Sequence, residues 1–383
     1  MKIVHVCTQI PYNDYWGYQE NLLPHYHKKL GHDVTVITTN TIQENGIIVD
    51  TKPDDYFLND GVRVIRLVSS KFPISILNRG LSYHNIYPLL KVLQPDFIML
   101  HGISSLTILD AVKFKKDNPN CRMIADSHLD YFNTSFKSKK RKLLRLFVKL
   151  MNRVCMPYFL CVYGVTPIRK EYAIKKLGVP RNKCDVLVMG GDDEKIHFDK
   201  QDEIRKELRC QHGIKTEDFL IVTGGKIDKQ KRIHLLMEAV KRLNNSNIKL
   251  VVFGAVYDEI QSTIDQLGQW PSTINIGWID SDKVYDWFLA SDLAVFPGTH
   301  SVLWEQAVAS GIPCVFKHWD GMEHVDVGGN CNFLYEDSIE EIIAVLKGII
   351  NDKEKYQQMK KAAIEKGLKE FSYIEIAKKV ISS

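Results

Sequence analysis

The sequence predicts an α/β protein built from two doubly wound parallel sheets, one after the other. Three observations carry this. Short β-branched apolar runs alternate with amphipathic stretches almost from end to end, the rhythm of strand–helix–strand units whose sheet is covered on both faces. That rhythm is interrupted after Gly190-Gly191 by a polar, charge-mixed stretch and then restarts. With 383 residues, 45% of them hydrophobic, the chain suits two packed cores at ~100–200 residues per domain.

In order, the first half predicts strands at 2–7, 33–38, 62–67, 96–100, 122–126, 159–165 and 185–188, with helical patterns between them at 21–30 and 104–114. In the second half strands are predicted at 219–223, 249–253, 273–276, 293–296 and 313–316, with a helix starting near Ile233. The polar stretch sets the domain boundary near residue 200, giving domains 1–199 and 200–383. The last apolar-periodic segment, about 371–383, either extends the second domain or crosses back to the first. In open parallel sheets, ligands bind beyond the carboxyl ends of the strands where strand order reverses, so the residues just after each strand are the ones to search.

Composition narrows the class. No run reaches the ~18 apolar residues of a membrane span, and Met1 leads directly into a strand, so a cytosolic protein is expected. The eight cysteines include no C-x-x-C pair, which argues against a zinc knuckle and a disulfide framework. A formal charge of +5 speaks about partners only where it is concentrated.

Four constellations stand at strand ends. Thr223-Gly224-Gly225-Lys226 through Lys231-Arg232 joins a strand to a helix, and glycines, a helix start and lysines together suit a diphosphate. A solvated basic loop fits these residues equally well, since neither G-x-x-x-x-G-K-[ST] nor G-x-G-x-x-G is present. His300, Ser301 and Glu305 follow Pro297 in a loop entering a helix that stops at Gly311. There Glu305 can accept from the vicinal hydroxyls of a ribose, or merely complement the helix dipole. Gly17 and Glu20 follow the first strand, as a ligand loop or a plain helix cap. His101 and His128 each follow a strand on the same edge, as chemistry or as satisfied hydrogen-bonding side chains.

Every charged residue from 137 to 153 is basic: Lys137, Lys139, Lys140, Arg141, Lys142, Arg145, Lys149 and Arg153. Apolar residues interleave with them, predicting a helix whose basic flank lies on an anionic bilayer while its apolar face packs inward. A solvated helix is the alternative. Nucleic acid is disfavoured, because no recognisable binding module accompanies the stretch.

Taken in order, these segments resemble the retaining, family-4 type glycosyltransferases of GT-B fold. Gly17, Glu20 and Leu30-Gly31-His32-Asp33-Val34 are similar to the opening G-x-x-E and L-G-H-x-V. Pro95-Asp96 through His101 is similar to P-D-h-h-h-x-H, and Gly190-Gly191 with Asp192 to the turn before the linker. Gly225-Lys226-Ile227 with Lys231 resembles G-R-L…K with lysine for arginine, and Glu305 through Pro313 resembles E-A-M-A-x-G-x-P. The likeness runs through nearly the whole chain.

The resemblance implies two Rossmann-like domains facing across a cleft, with acceptor binding in the first and donor binding in the second. It implies sugar transfer, with retention, from a nucleotide-diphosphate sugar to a glycan or a polyprenyl- or other lipid-linked acceptor in cell-surface polysaccharide, lipopolysaccharide or glycolipid synthesis. Lys226 and Lys231 would contact the diphosphate, Glu305 the ribose, and Gly17 and Gly225 the phosphates. His128 would stand near the sugar, with Glu20 and His101 on the acceptor side. No metal and no cofactor are implied, and a place on the inner face of the plasma membrane is expected. One departure concerns the family's two glutamates separated by seven residues: Pro297 stands in place of the first, leaving His300 and Ser301 to face the sugar. A nucleotide-sugar epimerase of the same fold and a catalytically silent nucleotide-sugar-binding scaffold are the rivals, and a nicotinamide dehydrogenase is disfavoured by the missing G-x-G-x-x-G.

Overall fold

The computed structural model describes every residue except 45–46, 75–76, 78–80, 132–138 and 383, and for residues 139 and 140 only the backbone. The chain forms two compact units, Met1–Val188 together with Ile374–Ser383, and Met189–Tyr373.

The strands of the first unit are β1 (Lys2–Cys7), β2 (Asp33–Thr39), β3 (Thr41–Glu44), β4 (Ile47–Asp50), β5 (Asp54–Phe57), β6 (Arg63–Leu67), β7 (Phe97–His101), β8 (Arg122–Ser127), β9 (Val162–Gly164) and β10 (Cys184–Val186). Eight of them make one sheet in the order β10-β9-β8-β7-β1-β2-β6-β5, parallel except for β5, and β3 pairs antiparallel with β4 in a separate hairpin. Strand order reverses between β1 and β7. Apolar side chains along β1, β7 and β8, among them Val4, Val6, Ile98, Leu100 and Met123, are buried in one cluster with Leu106, Ile108 and Phe114 of the segment after β7. The alternate residues Ile3, Phe97, Met99 and Ile124, on the other face, are buried as well, and burial on both sides is why these strands are continuously apolar in sequence.

The second unit holds β11 (Phe219–Gly224), β12 (Ile248–Phe253), β13 (Thr273–Gly277), β14 (Leu293–Phe296), β15 (Cys314–Lys317) and β16 (Cys331–Leu334). All are parallel, in the order β13-β12-β11-β14-β15-β16, so strand order reverses between β11 and β14. Ile221, Leu250, Val252, Leu293, Val295 and Val315 pack with Leu236, Met237 and Val240 of the helix Ile233–Leu243.

The units divide at Val188/Met189 and not near residue 200. Residues 189–209 are polar because they fasten themselves to the second unit through polar bonds, which composition alone reads as a linker. Gly191 N–H donates to the Phe371 carbonyl at 2.8 Å, Asp192 N–H to the Tyr285 hydroxyl at 2.9 Å, and Lys195 pairs with Asp282 at 2.7 Å. Arg205 and Arg209 grip the two oxygens of Asp292 at 2.6 and 2.7 Å. The last helix, Tyr373–Ser382, belongs from Ile374 onward to the first unit. There Arg122 Nη1 donates to the Ile381 carbonyl at 2.8 Å and His27 Nε2 to the Ala377 carbonyl at 3.1 Å.

Candidate functional site

Both strand-order reversals carry polar side chains at their carboxyl ends. In the second unit, β11 ends in Gly224, and Gly225 follows with φ +108, a left-handed conformation that favours glycine. The Gly225 carbonyl lies so close to Gly254 that a Cβ there would stand 1.9 Å from it, so the turn is built on backbone-to-backbone contact. Lys226 comes next, its Nζ 5.3 Å from the centre of the Tyr257 ring. Asp228 then accepts from Lys231 N–H at 2.9 Å, closing a short turn before the helix Ile233–Leu243. Lys231 Nζ donates to the carbonyls of Thr299 and His300 at 2.6 and 2.8 Å, tying this turn to the loop after β14. The lysine is therefore a fixed charge and a strut at once.

The loop after β14 carries His300 and Ser301 into the helix Leu303–Ala309, with Glu305 in its first turn. Glu305 is fully buried. Its Oε1 accepts from His300 Nε2 at 2.8 Å and from His324 Nε2 at 2.9 Å, while its Oε2 is buried without a hydrogen-bond partner. Burial opposes the carboxylate charge, but the two histidines outweigh it and bring the pKa down to about 2. A dipole-complementing surface glutamate would show neither the burial nor the paired histidines. The same three side chains offer ligand-type atoms within 4.8 Å of one another, as do the more exposed His318, Asp320 and Glu323. Trp304, fully buried, stacks on Phe316 at 4.6 Å and holds the helix against β15.

In the first unit, His101 ends β7 and Asp126 lies near the end of β8, with His128 just beyond. Asp126 Oδ2 accepts from His101 Nδ1 at 2.7 Å and from Gln19 Nε2 at 3.0 Å. His128 Nε2 lies 3.5 Å from Asp126 Oδ1 and 3.7 Å from Glu20 Oε1, so Glu20, His101 and His128 share one cluster. Burial works against a charge on His128, yet Asp126 and then Glu20 prevail and raise its pKa. Gly17 lies two residues before the helix Gln19–Lys29, which delivers Gln19 and Glu20 to the cluster. On the inner side, His101 Nε2 meets His5 Nδ1 at 3.0 Å, and His5 Nε2 meets His27 Nδ1 at 3.0 Å.

Sequence reasoning missed His5, His27, Asp126, Gln19 and His324. His5 carried a signal, as a polar residue inside an apolar strand; His27 and His324 reach their sites from a helix end and a distant loop that no strand-end rule points to.

The basic segment forms the helix Lys139–Cys155, and Lys137 lies outside the described residues. Val148, Met151 and Cys155 are buried inward, as expected. Leu143, Leu146, Leu150 and Val154, however, are exposed in a stripe at helical spacing, beside Arg141, Lys142, Arg145, Lys149 and Arg153. The helix thus has two apolar faces, and the expectation of one inward face is corrected: the helix is long enough to pack with one side and show another. Among the described residues no helix is long and apolar enough to cross a membrane.

Residues 204–366 match the family described as "Glycosyl transferases group 1", a span that includes Lys226, Lys231, His300 and Glu305. Over 228 residues the chain is 22% identical to an uncharacterised glycosyltransferase of Methanocaldococcus jannaschii, covering 58% of each chain. It is 27% identical over 218 residues to the capsular polysaccharide biosynthesis glycosyltransferase CapM of Staphylococcus aureus, covering 53% of this chain and 55% of that one. The match thus spans little more than half the length of these curated relatives. Among solved structures, a glycosyltransferase from Rickettsia africae superposes with TM-score 0.72 at 13% identity, covering 100% of this chain and 97% of that one. HepE of Anabaena in complex with UDP-glucose does so with TM-score 0.64 at 14% identity, covering 100% and 98%. At such identities the likeness is one of fold, and the fold is the GT-B type of two Rossmann-like α/β domains.

Proposed function

We propose that this chain transfers a sugar, with retention of anomeric configuration and without a metal, from a nucleoside-diphosphate sugar to a glycan or lipid-linked acceptor. The observation that carries the reading is Glu305: an ionised, fully buried carboxylate with one oxygen held by two histidines and the other unpartnered, at the strand-order reversal that also presents the Gly224-Gly225-Lys226 turn. A carboxylate oxygen kept open in a buried site suits a hydroxyl pair such as a ribose offers. The match of this half to group 1 glycosyl transferases supports the same reading.

As the bond from the anomeric carbon to the diphosphate oxygen breaks, negative charge grows on the departing phosphate. Lys226 and Lys231 stabilise that charge more in the transition state than in the ground state, and Lys231 does so from a position already fixed by two carbonyls. The acceptor hydroxyl attacks on the face the diphosphate leaves and passes its proton to the phosphate oxygen. In the second unit Gly225, His300 and Ser301 line the donor, and in the first unit Glu20, His101 and His128 form the acceptor side. The helix Lys139–Cys155 lies on an anionic membrane surface, its exposed leucines in the interface and its lysines and arginines at the headgroups.

The test combines a thermal-shift panel of nucleoside diphosphates and their sugars with turnover of labelled donor, with and without lipid extract. One nucleotide is expected to raise the melting temperature, and lipid extract to be required for transfer. Lys226→Ala is expected to lower turnover about 100- to 1,000-fold. Near-normal turnover would remove Lys226 from the chemistry; absence of any nucleotide binding would remove the enzyme reading.

A further inference from the structure

The first unit contains an unbroken line of side chains from the last helix to the strand-order reversal: Ala377 carbonyl, His27, His5, His101, Asp126 and then His128. Both ends of its histidine portion are fixed acceptors. A carbonyl oxygen cannot donate, so His27 Nε2 carries a proton. Asp126 Oδ2 accepts from Gln19 Nε2 and lies 2.7 Å from His101 Nδ1, and although burial opposes its charge the neighbouring histidines hold its pKa well below the ordinary carboxylate value, so it stands as an ionised acceptor. Three rings thus make four contacts, two with the end acceptors and two with each other, and each contact needs one proton. Three neutral imidazoles bring only three protons between them. The line therefore holds one proton more than its rings hold when neutral.

We propose that His27, His5 and His101 share this extra proton, that it resides on His101, and that His101 is thereby a positioning residue which holds Asp126 ionised and aimed at His128. The charge belongs on His101 because that ring alone touches the carboxylate. His27 is pushed down to about 4, mainly by burial, and His5 is also lowered well below its ordinary value by burial and by its histidine neighbours. With those two rings neutral, His27 and His5 are both protonated on Nε2 and His101 on both nitrogens.

The groups facing this line are Cys7 from β1, Gln19 and Glu20 from the helix Gln19–Lys29, His32 beside His27, and Asp126 and His128 from the end of β8. Arg169, bonded to Asp130 at 3.0 Å, lies beyond His128. The proton on His101 offsets the charge of Asp126 from the side opposite His128. The carbonyl of Ala377 sets this balance from the opposite end of the line. The charge itself does not depend on the proposed reaction; its effect on turnover rests on the assignment of His128 to the sugar.

Histidine side-chain nitrogen NMR of the full chain, labelled at histidine, tests the count directly. At neutral pH one buried ring, assigned by its loss in His101→Gln, is expected to be protonated on both nitrogens, and His5 and His27 on Nε2 alone. In His27→Leu the link to the Ala377 carbonyl is gone, two rings then make two bonding contacts, and two neutral rings satisfy both. His101 is expected to become neutral and His5 to move its proton to Nδ1. Asp126 then acts uncompensated on His128, whose own titration is expected to move up by about one pH unit, with the basic limb of kcat moving with it and the donor KM little changed. A singly protonated His101 in the unaltered chain overturns the proposal, and so does a His101 that keeps both protons in a folded His27→Leu. A nitrogen pattern that changes as expected while the basic limb of kcat stays where it was would leave the shared proton standing and overturn the assignment of His128 to the sugar.

Discussion

Glu305 and His324 stand nineteen positions apart in sequence yet share a bond of 2.9 Å, and with His300 they keep a carboxylate ionised out of reach of water. The pH dependence that follows has a definite sign. The folded-state pKa of about 2 lies below the ordinary value of 4.5, so this carboxylate contributes stability above the ordinary value and loses it as pH falls from there toward 2. Urea titrations between pH 6 and pH 3 are expected to show the second unit losing on the order of 2 kcal/mol through this group. Glu305→Gln, already neutral, is expected to flatten that slope and to weaken nucleotide binding; an unchanged slope would mean that the two histidines do not hold the charge. At this scale the sequence was informative where a residue follows a strand, as Lys226, His101 and His128 do. It was silent on His27 and His324, because their roles depend on which distant segments pack together, and no spacing records that.

At the scale of elements, the lysine turn and the loop after β14 are pressed together at Gly298. A Cβ there would lie 2.2 Å from the Gln230 carbonyl oxygen and 2.4 Å from the Lys231 carbonyl carbon. Gly298→Ala must separate the two segments, stretching the Thr299 N–H to Gln230 carbonyl bond of 3.1 Å and both Lys231 bonds. It is expected to cost about 1–3 kcal/mol of stability and to reduce nucleotide binding together with it, measured by thermal melts with and without nucleotide. The helix Lys139–Cys155 allows a different test. Leu146→Gln with Leu150→Gln leaves the inward face intact, and each change removes on the order of 1 kcal/mol of apolar insertion. Flotation with vesicles containing anionic lipid is expected to fall steeply while the melting temperature holds; unchanged flotation would rule out the leucine stripe as the contact. The interior strands were readable because burial on both faces makes them continuously apolar. β3, β4 and β5 were missed, since they are four residues each and mostly exposed, with Asp54 and Asp55 opening β5, and so was β16, a short edge strand in which Asn332 interrupts the apolar run.

For the whole molecule, the single restart of the strand–helix rhythm was enough to read two sheets, but not where the chain passes between them. Composition marks polar residues, and the polar residues after Gly191 are bonded to the second unit in place of forming a free connection. The last helix completes the first unit with Ile376, Ala377 and Val380 buried and with the carbonyls of Ala377 and Ile381 accepting from His27 and Arg122. Removing residues 374–383 is expected to loosen the first unit selectively. Hydrogen exchange should accelerate in the helix Gln19–Lys29 and along β8 while β11 and β14 stay protected, and equal acceleration in both units would show that the helix supports the molecule as a whole.

That return of the chain also orders events in time. The ribosome must make all of Met189–Tyr373 between the last strand of the first unit and the helix that finishes it. At synthesis rates of roughly 5–20 residues per second this is an interval on the order of ten to forty seconds. Throughout it, the nascent first unit exposes the apolar seat of a helix not yet translated, and this is when a chaperone has most to shield.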